Sequence, residues 1–368
     1  MEGKDILKEL RPYEQGMQTE EVKRKYNLDH IVKLASNENP FGFSPKVKSV
    51  LKDADIDFNI YPDGHATELS SALAIHLSIE EDEIAFSSGL DEMILIISRC
   101  FLEKGKNTVM AVPTFPQYKH QARIEGAEAR EVPLKETGDH DLDEMLAQID
   151  EDTAIVWICS PNNPTGCPIT EEQLNRFMDQ CPNNVLVVLD EAYYEFARKE
   201  SDLHALDKFR KYPNLLILRT FSKAYGLAGL RIGYAIGNSS IIGKLNVARG
   251  PFNTSSIAQK AAVAALGDQS FINEVTVKNI EIREDFAEFL NSIGWECFIS
   301  ETNFLLVKTP TDDIEVFQKL LERGFIIRPG SKVGWPQTIR VTIGKADDME
   351  LMKQAIREID AVFAKVEE

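Results

Sequence analysis

Residues 220–234 read TFSKAYGLAGLRIGY, directly after the apolar run NLLILR at 214–219. The run ends by presenting Ser222 and Lys223, and Gly226, Gly229 and Gly233 then crowd around Arg231. A lysine at a strand end is ordinarily a solvated charge. An isolated arginine in a glycine-rich setting is a different signal, because a guanidinium there can close on a phosphate or carboxylate. The stretch therefore predicts a strand that carries an amine and an anion clamp to one place.

Similar apolar runs lie on either side. They are NTVMAV (107–112), TAIVWIC (153–159), NVLVVLD (184–190) and IGYAIG (232–237), with NLLILRT (214–220) among them. Strands so uniformly apolar are buried on both faces. Helical patterns separate them, including 91–103 with its acidic start and 171–179 entered through Thr170 as an N-cap. The alternation predicts βαβ units and a mainly parallel sheet. After Asp268 the pattern changes to a long helix over about 271–292, followed by the strands NFLLVK (303–308), FIIRP (325–329) and TIRVTI (338–343) with helices between them. The expected division is an N-terminal arm at 1–33, a large domain at 34–268 and a smaller α+β domain at 269–368. With no repeat or low-complexity linker, the two domains are expected to pack together.

A chain of 368 residues exceeds the size at which one hydrophobic core keeps growing. Its 41 Lys and Arg against 59 Asp and Glu give a net charge of −18, which repels nucleic acid and anionic membrane surfaces. The five cysteines are scattered without a C-x-x-C pair and read as reduced thiols. No apolar run is long enough to span a bilayer, and MEGKDILKELRPYEQG has no apolar leader pattern, so the cytoplasm is the expected compartment. The six histidines form no H-E-x-x-H, and no metal site is expected.

Ligands of open α/β sheets bind outside the carboxyl ends of the strands. Those ends carry SPNNPTG (160–166), DEAYYE (190–195), TFSK (220–223) and PTFPQY (113–118), and SSGLDE (87–92) opens a helix. VLVVLDE alone resembles the acidic strand of a phosphate-loop ATPase, but the Gly-Lys pairs at Gly3, Gly105, Gly243 and Gly344 lack the glycine and hydroxyl residue that such a loop needs. G-x-G-x-x-G, the nicotinamide signature, is also absent. A lysine amine that condenses with an aldehyde, an aspartate ending a neighbouring strand and an arginine among glycines suit pyridoxal phosphate.

These segments, with LASNENP, YPDG, PFNTS, TNFLLV and IRVTIG, occur in order across nearly the whole chain. In them the sequence resembles the fold-type-I, class-II-like pyridoxal-phosphate aminotransferases, and within these the histidinol-phosphate branch. The resemblance implies an α/β large domain with a mainly parallel seven-stranded sheet flanked by helices, plus the smaller α+β domain. It implies that Lys223 holds pyridoxal 5′-phosphate, that Asp190 pairs with the ring nitrogen, and that Asn163 and Tyr193 bond the phenolic oxygen. Phe115 would stack on the ring. Arg231, Ser222 and Thr220 would hold the phosphate with Gly89 and the backbone N–H groups of Leu90 and Asp91 at a helix start. Many relatives have Asn-Gly-Ser where this chain has Ser88-Gly89-Leu90, which removes one hydroxyl from that loop.

For substrate, the resemblance implies Arg340 as the carboxylate clamp, Arg328 and Tyr13 toward a distal phosphate, and Asn37 beside them. The implied reaction exchanges the amino group of L-histidinol phosphate with 2-oxoglutarate, giving imidazole acetol phosphate and L-glutamate in histidine biosynthesis. Phenylalanine or tyrosine transamination and a phosphothreonine-decarboxylase-like activity are the alternatives. Tyr61 in YPDG implies a homodimer in which Tyr61 reaches the partner's site.

Overall fold

The computed structural model describes residues 3–12, 16–53 and 57–364. Along the chain its strands are β1 (Val32–Lys33), β2 (Ile84–Ser87), β3 (Asn107–Val112), β4 (Glu128–Pro133), β5 (Thr153–Cys159), β6 (Leu186–Asp190), β7 (Leu215–Thr220), β8 (Gly233–Gly237), β9 (Phe304–Lys308), β10 (Phe325–Ile326), β11 (Arg328–Pro329) and β12 (Thr338–Thr342). Seven of them form one sheet in the order β2-β8-β7-β6-β5-β3-β4. β8 runs antiparallel to both neighbours, and the other pairs are parallel. The mainly parallel seven-stranded sheet flanked by helices is thus present.

Two of its strands escaped the pattern reading, for physical reasons. β2 has four residues, too few to show a period, and β4 reads EAREVP because it is an edge strand with a largely solvated side. The run at 325–329 divides in two: β10 pairs in parallel with β1, and β11 pairs antiparallel with β12. The helix Glu171–Gln180 does start at Thr170, whose hydroxyl accepts from the Gln173 N–H while Gln173 reaches back in a capping box.

Strand alternation decides which side chains reach which face. Leu215 and Ile217 of β7 enter one apolar layer, and Leu216 and Leu218 enter the other. By the same parity Asp190, following Leu189, emerges on the second face, as does Thr220. Arg219 emerges on the first. Two adjacent residues of one strand end therefore serve opposite sides of the sheet.

Beyond the sheet, Phe286, Leu290, Trp295, Leu320, Ile339 and Met352 form a separate core, and Val32 and Leu34 belong to it. Leu34 is held from both sides, its N–H donating to Ile326 O at 2.7 Å and its O accepting from the Thr342 N–H at 2.9 Å. This brings residues 35–38 over the carboxyl ends of the sheet. Residue 226 must be glycine for that approach: φ is +72°, and a Cβ there would lie 1.9 Å from Gly42 O.

Candidate active site

A cavity of about 330 Å³ lies at the carboxyl ends of β5, β6 and β7, closed over by residues 35–38 and by β11 and β12. Asn37, Leu90, Asp91, Phe115, Asn163, Asp190, Tyr193, Thr220, Ser222, Lys223, Arg231, Arg328 and Arg340 all line it. These segments are far apart in the chain, and the crossovers of the sheet bring their ends together.

Lys223 follows β7 and donates from Nζ to Ser36 O at 3.3 Å. Burial, and then the neighbouring Arg340 charge, hold its ammonium down at about 8, so the free amine is a minor form at neutral pH and becomes the major one just above pH 8. Asp190 ends β6 and is 3% exposed. Its Oδ2 accepts from Tyr118 Oη at 2.6 Å and its Oδ1 from the Ala192 N–H at 3.0 Å. Burial raises its carboxyl to about 6, and these two hydrogen bonds limit the rise.

Tyr193 accepts from Asn37 Nδ2 at 3.0 Å, and burial pushes its phenol well above the usual range. Asn37 sits at φ +55°, a left-handed conformation that asparagine tolerates, and its Oδ1 accepts from Thr342 Oγ1 at 3.0 Å. Asn163 Oδ1 accepts from Arg340 Nη1 at 2.6 Å, while Arg340 Nη2 donates to Ala35 O at 2.8 Å. Arg340 and Arg328 are direct partners across the β11–β12 pair. Like charges placed opposite one another in a sheet repel, and an anion between them removes the repulsion.

At the other end of the cavity, Arg231 Nη1 donates to Ala228 O at 3.0 Å and Ser222 Oγ at 3.4 Å, and Nη2 reaches Asp91 Oδ2 at 3.5 Å. Its guanidinium lies against the start of the helix Leu90–Phe101, whose first amides have no carbonyl to donate to within the helix. Gly89, at φ +80°, makes the approach possible, since a Cβ there would come within 2.6 Å of Arg231 Nη2. Thr220 Oγ1 accepts from the Ser222 N–H at 3.1 Å and fixes the turn into Lys223.

Tyr61 does not line this cavity. It is 79% exposed and stacks on Phe252 with ring centroids 4.8 Å apart. Tyr13 lies outside the described residues. Tyr118 is the functional candidate missed in the sequence. It stands three residues after Phe115 in PTFPQY, in the first turn of the helix Gln117–Glu125, and the turn that leads into that helix sets the two rings 5.7 Å apart. Gln117, Glu38 and Cys159 also line the cavity without a sequence signal that selects them. Among the described residues no group of three or more His, Cys, Asp or Glu could hold a metal ion, and no helix is long and apolar enough to cross a membrane.

The family model for aminotransferases of class I and II matches residues 29–359. The chain belongs to the class I and II aminotransferases. This aminotransferase is 52% identical over 360 residues to histidinol-phosphate aminotransferase 2 of Oceanobacillus iheyensis, covering 98% of this chain and 99% of that one. It is 48% identical over 361 residues to histidinol-phosphate aminotransferase of Bacillus subtilis, covering 98% and 100%. Among solved structures, histidinol-phosphate aminotransferase of Sinorhizobium meliloti in complex with pyridoxal 5′-phosphate matches with a TM-score of 0.88 at 28% identity, covering 98% of each chain.

The residues of the aminotransferase cavity fit such a cofactor on three independent counts. Gly89 leaves open a cradle, between Arg231 and the helix start, that a Cβ would fill, and its donors suit a phosphate. The buried Asp190 carboxylate suits a protonated ring nitrogen. Lys223 supplies an amine that is unprotonated at accessible pH.

Proposed function

We propose that this aminotransferase uses pyridoxal 5′-phosphate to exchange the amino group of L-histidinol phosphate with 2-oxoglutarate, giving imidazole acetol phosphate and L-glutamate. The observation that carries the reading is identity of about half, over nearly the full length, to histidinol-phosphate aminotransferases. The paired Arg328 and Arg340 beside Lys223 support it, because the donor ends in a phosphate and the acceptor in carboxylates, and a guanidinium accepts either.

When bound, pyridoxal phosphate supplies an aldehyde that takes up the amino group and a ring that accepts the electron pair left by the broken Cα–H bond. The chain's own groups do the rest. Arg231, Ser222, Thr220 and the amides of Leu90 and Asp91 hold the phosphate. Asp190 keeps a proton on the ring nitrogen, with Tyr118 and the Ala192 amide steadying its charge. Asn163 and Tyr193 bond the phenolic oxygen, and Phe115 covers the ring. Lys223 Nζ takes the proton from substrate Cα and returns it, a role suited to an amine held at about 8. Arg340 clamps the carboxylate, and Arg328 and Tyr13 engage the distal phosphate. Asn37 acts through Tyr193.

The active unit is a homodimer with shared sites. Phe58, Ile60 and Tyr61 are exposed by 81, 61 and 79%, an apolar patch of the kind that a second copy covers. The cytoplasm is the proposed compartment, where the five free cysteines stay reduced. The division into arm, large domain and small domain at 33 and 268 is supported in outline by a separate C-terminal apolar core, which Val32 and Leu34 join, although Ile272, Val275 and Phe304 pack into a core of the large domain.

Steady-state rates for histidinol phosphate, phenylalanine and phosphothreonine, measured side by side, test the reading. The expected result is a kcat/KM for histidinol phosphate above the others by about a hundredfold or more. A higher value for phenylalanine, or carbon dioxide release from phosphothreonine, would replace it.

A further inference from the structure

The sheet has a second polar cavity of about 760 Å³ on the face opposite the site just described. Arg219 lines it, turned away from Lys223 by strand parity. This arginine is 4% exposed, donates from Nε to Glu191 Oε2 at 2.8 Å, and lays its guanidinium over the Tyr194 ring at 3.8 Å. Its two terminal nitrogens have no acceptor among the described residues. In the same cavity Glu195 Oε2 is buried with no hydrogen-bond partner among the described residues, and burial raises its carboxyl to about 7. Arg219 and Glu195 form no ion pair with each other, since Glu191 already pairs with the guanidinium. The rings of Tyr194, Tyr225 and Tyr234 face the same space.

A buried acceptor without a partner costs about 1–3 kcal/mol, so Glu195 Oε2 calls for a donor, while the terminal nitrogens of Arg219, which keep access to the cavity, offer a charge for an anion. Water can satisfy each separately, but the ring-lined wall is suited to an apolar body. A molecule that meets all three features carries a cationic N–H donor, an anionic acceptor and an apolar or aromatic side chain. We infer that this cavity is a second ligand site, which binds a free α-amino acid with its carboxylate on Arg219, its ammonium on Glu195 and its side chain among the tyrosines. A zwitterion adds no net charge to the buried Arg219–Glu191 pair and so avoids the desolvation penalty of an unbalanced ion.

Equilibrium dialysis tests the site with radiolabelled L-phenylalanine. The protein is holoenzyme whose cofactor has been reduced with borohydride, so that no aldehyde captures the amino acid, and saturating 2-oxoglutarate occupies the first cavity. About one equivalent should bind per chain. Glu195→Gln should weaken this by about tenfold or more, as should Val277→Trp, a filling change at an exposed lining position, 54% accessible, where no buried packing is lost. In the unreduced enzyme both variants should keep the wild-type kcat. Phenethylamine, which lacks the carboxylate, and 3-phenylpropionate, which lacks the ammonium, should each bind about tenfold more weakly than phenylalanine. No bound equivalent in the wild type, undiminished binding in either variant, or analogues that bind as tightly as phenylalanine would overturn the inference. None of these outcomes depends on which substrate the first cavity transaminates.

Discussion

Tyr118 Oη donates to Asp190 Oδ2 at 2.6 Å, linking the helix Gln117–Glu125 to the end of β6. Burial, with a smaller push from the Asp91 charge, drives the Asp190 carboxyl upward, and this hydrogen bond is the largest influence holding it near 6. Tyr118→Phe therefore raises that value further. The ionised carboxylate is the working form, and in the holoenzyme a protonated ring nitrogen beside it holds its value below that of the cofactor-free cavity; activity is lost as pH falls through that lowered value, and in the variant the loss begins at higher pH. Removing one hydrogen bond to a charged group should also lower kcat/KM by about tenfold. Asp190→Asn, which cannot hold a ring proton electrostatically, should lose about a thousandfold while still binding the cofactor. A pH profile in Tyr118→Phe that overlays the wild type would remove Asp190 from the acid limb.

Lys223 is the amine in the cavity, and its placement gives a direct chemical test. Borohydride reduction of the holoenzyme followed by peptide mass analysis should locate the cofactor on Lys223. Lys223→Ala should fold normally, bind cofactor without fixing it, and lose turnover. A label on another lysine would refute the assignment.

The pairing of Arg340 with Arg328 across β11 and β12 predicts unequal losses. Arg340 is 8% exposed and bonded to Asn163 and Ala35, so Arg340→Ala should lower kcat/KM for glutamate severely and weaken histidinol phosphate as well. Arg328→Ala should chiefly impair the phosphorylated substrate. Truncating one partner of a buried charge-assisted contact costs about 2–5 kcal/mol, which is at least about thirtyfold in kcat/KM. Equal losses for every substrate in both variants would mean that the two arginines do not divide the work.

His140 predicts how stability depends on pH. It is 3% exposed, neither ring nitrogen has a hydrogen-bond partner among the described residues, and burial lowers its value from 6.5 to about 4. The folded value lies below the unfolded one, so between those limits the unfolded chain binds the extra proton. Stability is full above pH 6.5 and falls as pH drops toward 4, by at most about 3 kcal/mol from this residue. Urea unfolding at pH 7.5 and 4.5 should show the decline, and His140→Leu should flatten it. An equal decline in the variant would assign the acid sensitivity elsewhere.

The exposed Tyr61, stacked on Phe252, predicts complementation between chains. Mixing Tyr61→Ala chains with Lys223→Ala chains produces heterodimers. If sites are shared, one site carries both lesions and the other carries neither. Activity should then rise well above either parent after verified subunit exchange. No recovery in confirmed heterodimers would place Tyr61 outside the partner's site.

Much of this aminotransferase could be read from residue order alone, because the strands of its sheet are buried on both faces and so appear as unbroken apolar runs. Their ends were legible for the same reason: DEAYYE, SPNNPTG and TFSK stand out where the apolar run stops. The edge strand β4 and the short β2 were not legible, since a solvated edge carries no apolar run and four residues carry no period. Tertiary structure alone decided the relationships across distance. Asn37 meets Tyr193 because Leu34 is clamped between β10 and β12, and Arg328 faces Arg340 because a run that reads as one strand divides between two sheets. Tyr118 meets Asp190, and Arg219 turns its back on Lys223, through strand parity and helix placement. Local sequence fixes which residues end a strand, whereas the face they reach and the group they meet depend on packing between separate segments, 72 residues apart for Tyr118 and Asp190 and 156 for Asn37 and Tyr193.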